Sequence, residues 1–140
     1  MKNVICAISL TAVLVLTAGC ASLGKGPTDE ELIQQTLDQW SAGLVEKDVD
    51  KLAATISENF SAQEADTKEE LIEFIRQGID AGYFEDAEVS REDAEYTMEE
   101  GKCDVYPVDL SSSMGSVSVG IILSKEDSKW LVTGLEVDGM

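Results

Sequence analysis

The chain has 140 residues with ten Lys and Arg, twenty-eight Asp and Glu, and no His, which gives a formal charge of −18. This length allows one domain of ordinary size, and the absence of His excludes imidazole-dependent nucleophiles and His-ligated zinc. The strong acidity argues against the basic surfaces that bind nucleic acid or anionic lipid. An apolar fraction of 44% is too high for an intrinsically disordered chain.

The N-terminal segment has the pattern of an export signal. Lys2 supplies a positive charge, and residues 4–16 are apolar except for Ser9 and Thr11. The run is short for an ordinary membrane-spanning helix and fits the apolar region of a signal peptide. A single transmembrane anchor is the alternative interpretation.

Residues 16–20, which read Leu-Thr-Ala-Gly-Cys, resemble the lipobox of bacterial lipoprotein signal peptides. The resemblance implies that residues 1–19 are removed and that Cys20 becomes a lipidated first residue. Residues 20–27 then form the lipidated end and a short tether, and residues 28–140 form the folded domain. Two or three acyl chains would anchor this domain stably to a membrane.

The expected location is therefore the cell envelope. Ala21, not an Asp, follows the lipidated Cys, so in a Gram-negative host the resemblance implies the outer membrane, on its periplasmic side. Cys103 is then left without an intramolecular disulfide partner. Because it lies in a predicted strand beside Val105, we expect it to be buried.

Three helices are predicted in the first half of the domain. Thr28 and Thr67 each precede a Glu by three residues, which is the capping-box pattern, and Asp48 is a third predicted N-cap. The first helix is predicted to end near Glu46. The apolar faces at helical spacing are Ile33, Leu37, Trp40 and Leu44, then Val49, Leu52, Ala53 and Ile56, then Leu71, Ile72, Ile75 and Ile79.

The second half is predicted to form strands. Residues 87–98 read as a weakly patterned edge strand, and residues 103–110 as a second strand in which Pro107 indicates a bulge or an edge position. Residues 117–123 alternate cleanly, and residues 130–137 form the last strand. Helices followed by strands with short turns predict an α+β fold with a four-stranded antiparallel meander.

This pattern resembles the nuclear transport factor 2-like (NTF2-like) fold, which includes ketosteroid isomerase, limonene epoxide hydrolase and SnoaL-like polyketide cyclases. The resembling segments are residues 40–52, 57–60, 68–75 and 129–134. The resemblance implies a strongly curved sheet that wraps the first helix and encloses a cone-shaped cavity. Such a cavity holds a small apolar molecule or an active site, or is filled by side chains.

The resemblance also gives a candidate base. Ketosteroid isomerases use an Asp near the position of Asp66, and Glu64 lies beside it. The Pro of the isomerase pattern is missing here, and a solvated acidic loop is the other interpretation. Asp48 and Asp50 lack the further oxygen ligands of a metal site, so we expect Asp48 to cap a helix and predict no metal or cofactor.

Aromatic residues are the remaining candidates. An aromatic cluster is more often core than pocket. The residues expected to line the cavity are Trp40, Tyr83, Tyr96, Tyr106 and Trp130.

Together these patterns favour a membrane-anchored lipoprotein whose domain is a non-enzymatic binding or protein-interaction module. Its expected partner is a small apolar molecule in the cavity or an envelope protein on the sheet, and not nucleic acid. The alternative is a small-pocket isomerase, cyclase or hydratase with Asp66 as its base. A homodimer formed through the sheet is a third possibility.

Overall fold

A computed structural model describes residues 26–138, so the predicted signal peptide and Cys20 lie outside the described residues. The chain is α+β, with three helices followed by an antiparallel sheet. The elements are α1 (Asp29–Val45), α2 (Val49–Ala53), α3 (Lys68–Asp80), β1 (Glu88–Ser90), β2 (Glu95–Glu99), β3 (Lys102–Ser112), β4 (Gly115–Glu126) and β5 (Lys129–Val137).

The predicted N-caps of α1 and α2 are confirmed. At α1 the Thr28 N–H donates to the Glu31 carboxylate at 2.8 Å, and the Glu31 N–H donates to the Thr28 hydroxyl at 3.2 Å. At α2 the Asp48 carboxylate accepts from the Lys51 N–H at 3.0 Å. These bonds satisfy amide groups that the first turn of a helix leaves without partners.

The predicted capping box at α3 is only half formed. The Thr67 hydroxyl accepts from the Glu70 N–H at 3.2 Å, as expected. The Glu70 carboxylate, however, accepts from the Asp66 N–H at 2.9 Å, one residue before the cap. The acidic loop is therefore joined to the start of α3 through its backbone.

The prediction of four strands is wrong, because the sheet has five. The expected edge strand is divided into β1 and β2, and both pair with β3, at Val89 opposite Leu110 and at Tyr96 opposite Val105. The division lies beside Pro107, whose nitrogen has no hydrogen to donate to a neighbouring strand. The sheet runs β1-β3-β4-β5 and is not closed.

Two register shifts bend the sheet. One lies between Val105 and Val108 of β3, which confirms the bulge expected at Pro107. The other places Ile122 opposite Gly134 and Leu123 opposite Val132, which leaves Thr133 as an extra residue in β5. Bulges increase local twist and change which face a strand presents.

The helices lie against one face of this sheet, with α1 packed on β5 and β1. The Thr36 hydroxyl of α1 donates to the Trp130 carbonyl of β5 at 2.6 Å. The core residues of α1 and of the sheet that are no more than 2% exposed are Ile33, Leu37, Cys103, Val105, Val108, Ile121, Leu123, Trp130 and Val132.

The expected burial of Cys103 is confirmed, since its side chain is fully buried. Burial, with the nearby Asp104 carboxylate, raises the pKa of the Cys103 thiol. The thiol is therefore held in its unreactive protonated form at neutral pH. Among the described residues, no helix is long and apolar enough to cross a membrane.

Candidate functional site

A cavity of about 830 Å³ lies between α3, the end of α1 and one end of the sheet. Its helical wall includes Trp40 and Leu44 of α1 and Leu71 and Ile75 of α3. The loop that joins α2 to α3 contributes Phe60. The cavity is therefore built from elements at one end of the domain.

The sheet wall of the cavity begins beyond the two bulges. Leu110 and Val119 of β3 and β4 line it, as do Leu135 and Val137 of β5. On the other side of the bulges, the same three strands contribute buried side chains to the core cluster that includes the apolar face of α1. The bulges therefore separate a core half of the sheet from a cavity half.

Large apolar side chains surround the opening of the cavity. Phe74 of α3 is 58% exposed, Tyr83 is 56% exposed, and Met114 of the β3–β4 turn is 66% exposed, although all three line the cavity. Exposed apolar side chains grouped around a concave surface are typical of binding sites.

Two buried polar atoms belong to side chains of this lining. Within residues 26–138, Trp40 Nε1 and Glu64 Oε2 are both inaccessible to solvent and have no hydrogen-bond partner. The first is a donor and the second an acceptor. Buried polar atoms are normally satisfied, and these two are exceptions, although neither atom is itself exposed to the cavity.

A tight turn positions Glu64. The Ala62 N–H donates to the Ala65 carbonyl at 2.9 Å, which closes the chain around Glu64. Ala65 is buried, and the Ser61 N–H donates to the Thr133 carbonyl of β5 at 3.1 Å. The turn is thus attached to the sheet on one side and to α3 on the other.

The structure places two of the five predicted aromatic residues in the cavity wall. Trp40 and Tyr83 line the cavity, whereas Tyr96, Tyr106 and Trp130 lie outside its lining. Tyr96 is partly exposed on the edge strand β2, where its neighbours include Arg91. Tyr106 projects from the opposite face of β3 and donates to the Asp138 carboxylate at 2.8 Å, and this bond raises the pKa of the Tyr106 phenol.

Trp130 instead joins the start of α1 to the adjacent ends of β4 and β5. Its Nε1–H donates to Asp29 Oδ1 at 3.0 Å, and the Lys125 ammonium donates to the same oxygen at 2.8 Å. The hydrogen bond from Lys125, followed by that from Trp130, lowers the pKa of the Asp29 carboxyl. The role of Trp130 is therefore structural.

The predicted base, Asp66, is exposed and outside the cavity lining, whereas its neighbour Glu64 lies in the wall. Phe74 and Met114 are cavity residues that the sequence did not indicate, because each lies at a position that reads as solvent-facing. Asp48 lies at its helix cap. No group of three His, Cys, Asp or Glu side chains in the described part of the chain could hold a metal ion.

No protein-family model and no curated protein sequence matches this chain. Solved structures do match. An NTF2-like protein of unknown function from Pseudomonas putida has a TM-score of 0.64 at 9% identity, covering 75% of this chain and 82% of that one. A cystatin-like-fold protein of unknown function from Nostoc punctiforme has a TM-score of 0.62 at 19% identity, covering 80% of this chain and 94% of that one.

An uncharacterised cystatin-like-fold protein from Caulobacter vibrioides has a TM-score of 0.63 at 10% identity, covering 77% of this chain and 87% of that one. At these identities the likeness concerns the fold and not the activity. The three helices, the open antiparallel sheet and these neighbours together show that the chain has an NTF2-like fold.

Proposed function

We propose that this protein is a lipid-anchored envelope protein whose NTF2-like domain binds a small, mainly apolar molecule in its cavity. The observation that carries the proposal is the cavity itself, of about 830 Å³ and walled by apolar and aromatic side chains. Its volume lies in the usual range of small-molecule sites, about 300–1,000 Å³.

Binding is tested with 1-octanol as the probe. The full chain is reconstituted in phosphatidylcholine nanodiscs, and isothermal titration calorimetry is corrected with empty nanodiscs. Leu135→Trp places a larger side chain in the cavity wall and is expected to weaken octanol binding by at least about tenfold. Tyr106→Trp, outside the lining, is the matched control. Equal octanol affinity in the two variants would contradict binding in the cavity.

The anchor is the second part of the proposal and rests on the lipobox and Cys20. Cys20→Ser is expected to abolish fatty-acid labelling and to prevent stable lipid anchoring. Labelling is measured after growth with a radioactive fatty acid, with Cys103→Ser as the control, because that thiol is buried within the domain. Persistent labelling of the Cys20→Ser protein would refute the assignment.

An anchor at Cys20 would hold the domain by the end that is remote from the cavity. Asp29, at the start of α1, contacts Lys125 near the end of β4, whereas Trp40 lies eleven residues later and lines the cavity. At 1.5 Å per residue this separation is about 16 Å along the helix. The cavity would then lie toward the other end of α1 from the attachment point.

A second candidate function, a pocket enzyme with a carboxylate base, is favoured by the position of Glu64. A carboxylate in an apolar cavity can accept a proton from a carbon next to a carbonyl, which leaves an enolate. The test is deuterium exchange into 2-octanone in D₂O, followed by NMR. Glu64→Gln should abolish catalysed exchange, whereas Asp66→Asn should retain it. Exchange no faster than in buffer would exclude this reaction for this ketone.

A further inference from the structure

The Glu64 carboxylate is the starting point, because it is a charged group in a mostly apolar cavity wall. Oε2 is buried and has no donor among the described residues, while its surroundings in the cavity wall are mostly apolar. A buried carboxylate oxygen without a donor is destabilising. An occupant of the cavity that pairs with this carboxylate should carry an N–H or O–H donor.

The rest of the lining indicates the charge of that group. Glu88 is a second carboxylate of the wall, and no Lys or Arg of residues 26–138 lines the cavity. The chain as a whole carries a formal charge of −18. Low-dielectric walls with charge of one sign concentrate ligands of the opposite sign, so the cavity attracts cations and repels anions.

The aromatic side chains of the wall favour the same charge. They are Trp40, Phe60, Phe74, Tyr83 and Phe84. Aromatic faces attract ammonium groups, and this attraction strengthens when water is excluded. An ammonium also donates a charge-assisted hydrogen bond to a carboxylate, which a neutral hydroxyl cannot match.

We propose that the ligand is a cationic amphiphile, an apolar molecule with an ammonium group that pairs with the Glu64 carboxylate in the cavity wall. The apolar part lies between α3 and the cavity half of the sheet, against Leu110, Val119 and Leu135. This inference rests on the proposed binding function and adds the chemical class of the ligand.

The test compares octylamine, 1-octanol and octanoate, which share one chain length and differ in the head group. Each is titrated into the full chain in phosphatidylcholine nanodiscs at neutral pH and low ionic strength, with empty nanodiscs as the blank. Octylamine is expected to bind at least about tenfold more tightly than octanol, and octanoate more weakly than octanol. This comparison needs no variant, so it does not depend on how a substitution affects folding.

Two variants then assign the selectivity to Glu64. In the Glu64→Gln protein, octylamine and octanol should bind with about equal affinity, and octanol should still bind. Asp66→Asn removes the same charge from an exposed position outside the lining and should retain most of the preference. A preference that survives Glu64→Gln, or falls equally in both variants, would assign it to general charge and overturn the proposal.

The wild-type titration also separates this inference from the function on which it rests. If octanol binds as tightly as octylamine, cavity binding stands and the cationic ligand is refuted. If octanoate binds most tightly, the proposed charge preference is wrong in sign. If none of the three binds, both proposals fail.

Discussion

At the scale of single residues, hydrogen-bond partners decide what each polar side chain does. Asp66 and Glu64 are two positions apart, yet one is exposed and the other reaches the cavity wall. Trp40 and Trp130 are both buried, but the indole N–H of Trp130 has the Asp29 carboxylate as its acceptor. Residue type alone therefore did not distinguish a structural side chain from a candidate ligand contact.

The Asp29 contacts predict an acid-dependent loss of stability. A carboxyl whose pKa is lowered by folding stabilises the protein fully above its unfolded pKa, about 3.9, and the contribution is lost as pH falls through the lower folded value. We expect Asp29→Asn to lower Tm at neutral pH, and the difference from wild type to shrink below about pH 4. Thermal unfolding by circular dichroism from pH 7 to pH 2 measures this.

Glu30→Gln is the matched control, because it removes the same charge from the first turn of α1 without touching Lys125 or Trp130. The pH dependence of its Tm should be closer to that of wild type than the pH dependence of the Asp29→Asn protein is. If the Tm of the Asp29→Asn protein stays below that of wild type by the same amount down to pH 2, the stabilisation is not ionic.

At the scale of elements, the sequence indicated one of the two bulges, because Pro107 predicts a bulge or an edge position in β3. In β3 the buried positions Cys103 and Val105 are odd-numbered, whereas the buried Val108 is even-numbered. In β5 the buried Val132 is even-numbered, whereas Leu135, which lines the cavity, is odd-numbered. Side chains alternate faces along a strand, so a change of parity requires an extra residue. The Pro107 bulge was predicted, and the β5 bulge could have been found from the same change.

The contact between α1 and α2 gives the second prediction. A Cβ added at Gly43 would lie 2.9 Å from both Cβ and the backbone nitrogen of Leu52, which cannot move aside independently. We expect Gly43→Ala to destabilise the protein by about 1–3 kcal/mol despite the better helix propensity of Ala. Urea unfolding followed by circular dichroism gives the change in free energy of unfolding.

Ser41→Ala provides the comparison in the same helix. The Ser41 hydroxyl is buried and has no hydrogen-bond partner in the described part of the chain, so its removal should leave stability unchanged or slightly higher. A Gly43→Ala protein as stable as wild type would mean that α1 and α2 can move apart without a decrease in the free energy of unfolding.

At the scale of the whole molecule, one continuous sheet serves two purposes. Its core half contributes Val105, Ile121 and Val132, each no more than 1% exposed, to the buried cluster that includes the apolar face of α1. Its cavity half faces open space, so its inner side chains lack packing partners on one side. Binding sites are commonly found in such less stable parts of a fold.

This division predicts a gradient of amide exchange. In hydrogen–deuterium exchange by mass spectrometry, residues 102–105 and 121–124 should exchange more slowly than residues 108–112 and 115–119. Saturating octylamine should slow exchange in the second group and leave the first unchanged. Uniform exchange along β3 and β4, or equal protection of both halves by the amine, would contradict the division.

The sequence by itself determined the helices, their N-caps at Thr28 and Asp48, most of the strands and the burial of Cys103. These features depend on local hydrogen bonds and on apolar periodicity, which can be read from neighbouring residues. Only the tertiary structure decided that the edge strand is split, that the cavity is open, and that Glu64 and not Asp66 lines it. Periodicity shows which side chains face inward, but the paths of distant strands and helices decide whether an inward side chain meets another side chain or a void.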